Sequence, residues 1–143
     1  MSAVYLETSA LLSWLLGQSR SGHARKTLDA ASVVLTSELA LAEAERALVR
    51  AEHEQHLTGG DGQRLRGVLQ RSRNAWMLMT VSDEVLTRAG RPFPVEPVRT
   101  LDGIHLATAL VFTRAFPELR VLSFDRRITE NALALGIADP RGR

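Results

Sequence analysis

Four short apolar runs, each followed by a stretch with helical spacing, confine this chain to few architectures. The runs are Val4–Leu6, Val33–Thr36, Trp76–Val81 and Arg120–Ser123. Short apolar or β-branched runs bounded by turn signals read as buried strands. Helices are predicted over Thr8–Leu16, His23–Ala31, Ser37 to about Gln55, Gln63–Arg73, Ser82 to near Gly90, Leu101 to about Ala115, and Asp125–Leu135. Ser37 and Ser82 are good N-caps with acids behind them, and Asp61 and Thr100 are read as caps for their helices. Gly17, Gly90 and Gly136 end helices, and Arg91–Arg99, with three prolines, is a loop. Strands alternating with helices predict an α/β protein. The expected form is a three-layer α/β/α sandwich around a central parallel sheet of four to five strands, the fifth a short edge strand at Ile137–Ala138.

The chain has 143 residues, 45% of them apolar, which suits one domain over 1–143 with a real core. No apolar run approaches the ~18–20 residues of a membrane span. The opening MSAVYLETSALLSWLL lacks a basic region and a cleavage site and contains an acid, so it is expected to be the first strand and helix of a cytoplasmic protein. There is no Cys, which removes disulfides and thiolate zinc sites. The net charge is only +2 although the pI is 9.9, because the cations are seventeen Arg and the single Lys26. Arginine suits bidentate phosphate recognition, but a GC-rich genome gives the same bias.

The acids are the more localised signal. Glu7 follows the first strand, Asp125 follows the fourth, Asp102 lies in the first turn of its helix, and Glu43 lies two turns into the helix after the second strand. Ligands of open parallel sheets sit at the carboxyl ends of the strands, near a reversal of strand order. For Glu7, Asp102 and Asp125 the plain structural alternative is helix capping. For Glu43 it is an ion pair with Arg46 or Arg50 at helical spacing. Taken together, four hard oxygen ligands without His or Cys point to Mg²⁺ or Mn²⁺ and to phosphodiester hydrolysis.

In the segments YLETSALL, TSELALAEAERAL, RTLDGIHLATAL and VLSFDRRITENALALGI, in this order from Tyr5 to Ile137, the chain resembles the PIN-domain ribonucleases, most closely the VapC-type toxins of toxin–antitoxin pairs. The resemblance implies that Glu7, Glu43, Asp102 and Asp125 are the catalytic, metal-holding acids. It places a supporting hydroxyl at Ser9 and an arginine at Arg46. It also implies Mg²⁺ or Mn²⁺ dependence, cleavage of RNA, a homodimer, and a cognate VapB-type antitoxin that plugs the site. The family has Asp where this chain has Glu7, and the extra methylene moves the carboxylate about 1.5 Å from the backbone. Three readings stay open: a site that accepts Glu, a weakened RNA- or antitoxin-binding homologue, or a change introduced to tame a toxin. Activity raised by Glu7→Asp would mark Glu as a poor fit, and a drop would mark a site built around it.

Other features have plainer readings. His53 and His56 have metal-like spacing but sit at a polar helix end. His105, three residues after Asp102, is read as structural. Trp14 and Trp76 are read as packing residues. Arg64, Arg66, Arg71 and Arg73 form a solvated face with RNA-backbone contact as the second reading. Arg126, with Arg127 beside it, adjoins Asp125 and is better placed to meet a substrate phosphate.

Overall fold

In a computed structural model of the chain, which describes residues 2–137, the first strand, β1 (Ala3–Leu6), is buried at every position. Such a strand must be covered on both faces, as in a parallel sheet with helices above and below. β1 pairs in parallel with β2 (Val33–Ser37) on one edge and with β4 (Arg120–Leu122) on the other. β2 pairs in parallel with β3 (Met77–Met79), giving the order β3-β2-β1-β4. The chain therefore steps outward from β1 to β3 and then returns across β1 to β4. Strand order reverses between β1 and β4, and the crevice beyond their carboxyl ends is where such sheets hold ligands.

The helices divide into two layers. α1 (Thr8–Leu16), α2 (Ser21–Ala30), α3 (Glu38–His53) and α4 (Gly59–Ala75) cover one face, where Val4, Leu6 and Leu122 meet Leu11, Leu41, Leu48 and Leu65. α5 (Asp83–Ala89), α6 (Thr100–Phe112) and α7 (Arg126–Ala134) cover the other, where Tyr5, Leu35 and Val121 meet Leu106, Phe112 and Ile128. Alternate residues of β1 thus feed opposite cores, the period-2 consequence of strand geometry. The architecture is the expected three-layer α/β/α sandwich, with four parallel strands among the described residues. No helix among them is long and apolar enough to cross a membrane.

Several expected boundaries move. β3 keeps only three residues of the run Trp76–Val81, because Met77–Met79 alone register with Leu35–Ser37 at the sheet edge. Trp76 instead caps the end of α4, and its ring packs on Trp14 at 5.8 Å between centroids, as packing residues do. α2 begins at Ser21, inside the segment expected to be a connection. α3 stops at His53, and Gln55 takes a positive φ of 62°. α4 begins at Gly59: Thr58 is its cap, and Asp61 is the acid of a capping box that bonds back to the Thr58 amide at 3.1 Å. Arg99, without a side-chain capping bond, precedes α6, so Thr100 is its first residue rather than its cap. Ile137 is buried outside any strand, while Ala138 and the 139–143 tail lie outside the described residues. Ser37 and Ser82 cap α3 and α5 as expected, and Gly17, at φ 66°, ends α1 in the left-handed conformation glycine favours.

Candidate active site

Glu7 closes β1 and caps α1, and it is the point at which the strand-order reversal is fastened. Its backbone amide donates to the Leu122 carbonyl of β4 at 3.0 Å. Its side chain is 5% exposed and accepts three hydrogen bonds. The Ser9 amide donates to Oε2 at 3.0 Å, and the hydroxyls of Ser9 and Ser123 each donate to Oε1 at 2.5 Å. The same hydroxyls accept from the backbone beyond β4: Ser9 Oγ from the Phe124 amide at 2.8 Å, Ser123 Oγ from the Asp125 amide at 3.0 Å. The β4–α7 turn is therefore tied to α1 through one carboxylate. Capping, the plain alternative for Glu7, holds, but it accounts for only one of the three bonds.

Glu43 makes neither of the helical ion pairs, with Arg46 or Arg50, that formed its plain structural alternative. Its Oε1 accepts from Thr8 Oγ1 at 2.6 Å and lies 2.7 Å from His105 Nε2. A carboxylate only accepts, so Nε2 carries a proton, and in the neutral ring Nδ1 accepts from the Tyr5 hydroxyl at 2.8 Å. Thr8 Oγ1 is also 3.0 Å from Nε2. Burial works to raise the Glu43 carboxyl, but the bonds from His105 and Thr8 outweigh it and hold the group below the usual carboxylate range. Burial, with the charges of Glu7 and Glu43, raises the Tyr5 hydroxyl, so it stays protonated and able to donate. β1, α1, α3 and α6 each contribute one residue to this chain of bonds.

Asp102 lies in the first turn of α6 and is 9% exposed. Its ion-pair partner is Arg99, whose Nε is 3.5 Å from Oδ2, too far for a good hydrogen bond; Oδ2 is buried without a hydrogen-bond partner. Burial, reinforced by the charge of Asp125, pushes this carboxyl up despite Arg99. Asp125 caps α7 by accepting from the Arg127 amide at 2.9 Å and is half-buried. Capping thus explains Asp125 but leaves the Asp102 oxygen unexplained.

Among the described residues no three His, Asp or Glu side chains gather closely enough to enclose an ion. Magnesium asks for less, since it keeps several waters and commonly takes one or two carboxylates. A buried Asp102 oxygen without a hydrogen bond, under the field of Asp125, is the arrangement a hydrated divalent cation relieves. The oxygens of Glu7 and Glu43 already have internal donors. The residues present therefore fit a hydrated Mg²⁺ or Mn²⁺ held chiefly by Asp102 and Asp125.

The remaining predicted residues lie further out. Arg46 is exposed on α3. Arg126 is exposed at the start of α7, its Nε 2.6 Å from Glu130 Oε1. Ser9 is in the site, though its hydroxyl serves Glu7 and the β4–α7 turn. Arg66 pairs with Glu52, which removes one member of the arginine stretch, and His56 lies 3.6 Å from Glu54 on exposed surface. Sequence reasoning missed Thr8, Tyr5 and Ser123, and it read His105 as structural without its link to Glu43. A hydroxyl two residues before Asp125, at the end of a strand beside the reversal, was the available signal for Ser123.

A doubly wound parallel sheet with carboxylates on the rim of its switch point defines an α/β protein with an acidic site. The PIN domain profile matches residues 4–134. Ribonuclease VapC46 of Mycobacterium tuberculosis is 35% identical over 139 residues, 96% of each chain. Among solved structures, Mycobacterium tuberculosis VapC20, described as a Sarcin-Ricin loop cleaving toxin, superposes with a TM-score of 0.68 at 17% identity over 95% of this chain and 97% of its own. A toxin–antitoxin complex from Klebsiella pneumoniae gives 0.62 at 19% identity over 96% and 97%. The chain belongs to the PIN-domain family, in its VapC-type ribonuclease branch.

Proposed function

We propose that this chain, as one domain over 1–143, is a divalent-cation-dependent endoribonuclease and the toxin of a toxin–antitoxin pair, neutralised by a VapB-type antitoxin. The observation that carries the reading is the buried Oδ2 of Asp102, which has no hydrogen bond and only a 3.5 Å ion pair with Arg99, on a carboxyl raised in pKa beside a second acid. A bound Mg²⁺ or Mn²⁺ supplies charge neutralisation at the phosphate and a water of lowered pKa. Water adds to phosphorus while the bond to the 3′ oxygen breaks; the proton lost by the water passes to solvent, and the leaving 3′ oxygen takes one from solvent. Glu43, held below the usual range, is a weak base and acts as a fixed negative charge. Glu7 completes the acidic set and holds the turn that carries Asp125. Arg46 and Arg126 are the cations proposed to meet RNA phosphates. The names of the relatives support ribonuclease chemistry and an antitoxin partner. Exposed Leu86, Val95 and Leu101 offer apolar surface for a homodimer.

The purified chain is expected to cleave single-stranded RNA with Mg²⁺ or Mn²⁺ and to stop in EDTA, with ends mapped by sequencing. Absence of cleavage under every metal would transfer the assignment to a binding module.

Glu7 also has a structural task within the nuclease reading, since all three bonds to its carboxylate come from inside the protein. An Asp at this position keeps the Ser9 amide but draws back from Ser123 by about 1.5 Å. Glu7→Asp is therefore expected to lower cleavage roughly ten- to a hundred-fold, the scale of a ~1 Å misplacement. A rise in kcat for this variant would instead identify the natural Glu as an attenuating residue.

A further inference from the structure

A cleft of about 580 Å³ opens between the start of α2 and the β4–α7 junction, large enough for a nucleotide. It adjoins the acidic rim directly, because Ser123, which bonds Glu7, also lines the cleft. The next residue, Phe124, is half-buried, and its ring faces two cationic or polar planar groups. The Arg20 guanidinium carbon lies 5.1 Å from the ring centroid and the His23 ring 6.0 Å from it. Arg20 and His23 are themselves exposed, so this cluster of planar groups lies at the surface beside the cleft. Arg126 closes the far side; its bond to Glu130 engages only Nε of a group with five donor hydrogens. The described residues lining the cleft include two arginines and a histidine and no acid.

The charge argument favours a polyanion. Four carboxylates on the rim repel RNA, so the strand needs cations beside the rim to stay close to it. Arg20 and Arg126 stand at that place. A guanidinium stacked on an aromatic ring is also a platform for a nucleobase, and its N–H edge suits phosphate. We propose that the Arg20–Phe124 stack and Arg126 form a nucleotide subsite that takes the nucleotide flanking the scissile phosphate. This rests on the RNA-cleaving reading above and adds where the strand is gripped.

The test uses fluorescence anisotropy of the full chain with a labelled single-stranded RNA in EDTA, where cleavage is suppressed. An abasic nucleotide is moved along the RNA one position at a time. One position is expected to weaken wild-type binding about ten-fold, the scale of one lost base stack. Arg20→Ala weakens the intact RNA by a similar factor and is insensitive to the abasic change at that position. Phe124→Leu behaves likewise, and circular dichroism verifies its fold; Arg20→Ala, an exposed substitution, decides alone if Phe124→Leu does not fold. With metal present, Arg20→Ala raises KM about ten-fold and changes kcat less. A flat abasic walk, or equal abasic losses in wild type and Arg20→Ala, overturns the subsite even if RNA is cleaved. The abasic signature in a chain that cleaves nothing leaves the subsite standing and removes the nuclease reading.

Discussion

Asp102→Asn is expected to abolish metal-dependent cleavage and, at the same time, to raise the thermal stability of the metal-free protein. The two effects have one origin. The Asp102 carboxyl is buried, lacks a hydrogen-bond partner at Oδ2 and lies in the field of Asp125, so its folded pKa is raised. A group whose folded pKa lies above its unfolded value favours folding below the unfolded pKa, and that contribution disappears as pH rises through the folded pKa. At neutral pH the ionised group is therefore a burden on the folded state. Asparagine removes the charge at nearly the same volume. Cleavage falls by at least roughly 10²–10³-fold, the scale of losing one preorganised electrostatic group. Added Mg²⁺ raises the melting temperature of the natural chain, because it binds the folded state, and leaves that of the variant unchanged. Calorimetry with and without Mg²⁺ reads all of this. A variant that melts lower than the natural chain in EDTA would show that Asp102 serves the fold, not the cation.

His105→Leu is expected to be the more damaging change to stability. The ring is 1% exposed and is bonded on both sides, to the Tyr5 hydroxyl at 2.8 Å and to Glu43 at 2.7 Å. Leucine fills most of the volume but strips a buried hydroxyl and a carboxylate of their partner, a loss of about 2–3 kcal/mol. The pH dependence identifies the cause. Glu43 is held below its ordinary pKa, so its contribution is present above the unfolded pKa and is lost as pH falls through the folded one. The stability gap between natural chain and variant is therefore widest at neutral pH and narrows in acid, as urea titrations at several pH values record. A gap independent of pH would assign the loss to packing alone. Cleavage also falls, since the carboxylate is no longer pinned between Thr8 and His105.

The parts of this fold that sequence made legible are those fixed by neighbours in the chain. The buried run at β1, the β-branched run at β2, and the serines capping α3 and α5 declare themselves within a few residues. The start of α4 was obscured because Asp61 read as a cap for a helix beginning at Gln63, while Thr58 and Asp61 close a capping box around Gly59 and Gly60. β3 was overread because its apolar run outlasts the three residues that β2 can pair. The acids were placed on the correct elements, but their bonding was not. Local spacing suggested Arg46 or Arg50 for Glu43, whereas its partners lie 35 and 62 residues away in sequence. Likewise, Ser123 reaches Glu7 across 116 residues. Such contacts exist only once the sheet is assembled, and no periodicity encodes them.

The position of β4 has a consequence for synthesis. During translation Glu7, Glu43 and Asp102 emerge first, and β4, the last of the described strands, brings Ser123 and Asp125. A nascent chain thus carries three of the four rim acids before the turn that holds the fourth. The rim closes only when β4 docks on the free edge of β1, so a partly made chain holds its carboxylates apart from their distant partners until that strand has left the ribosome.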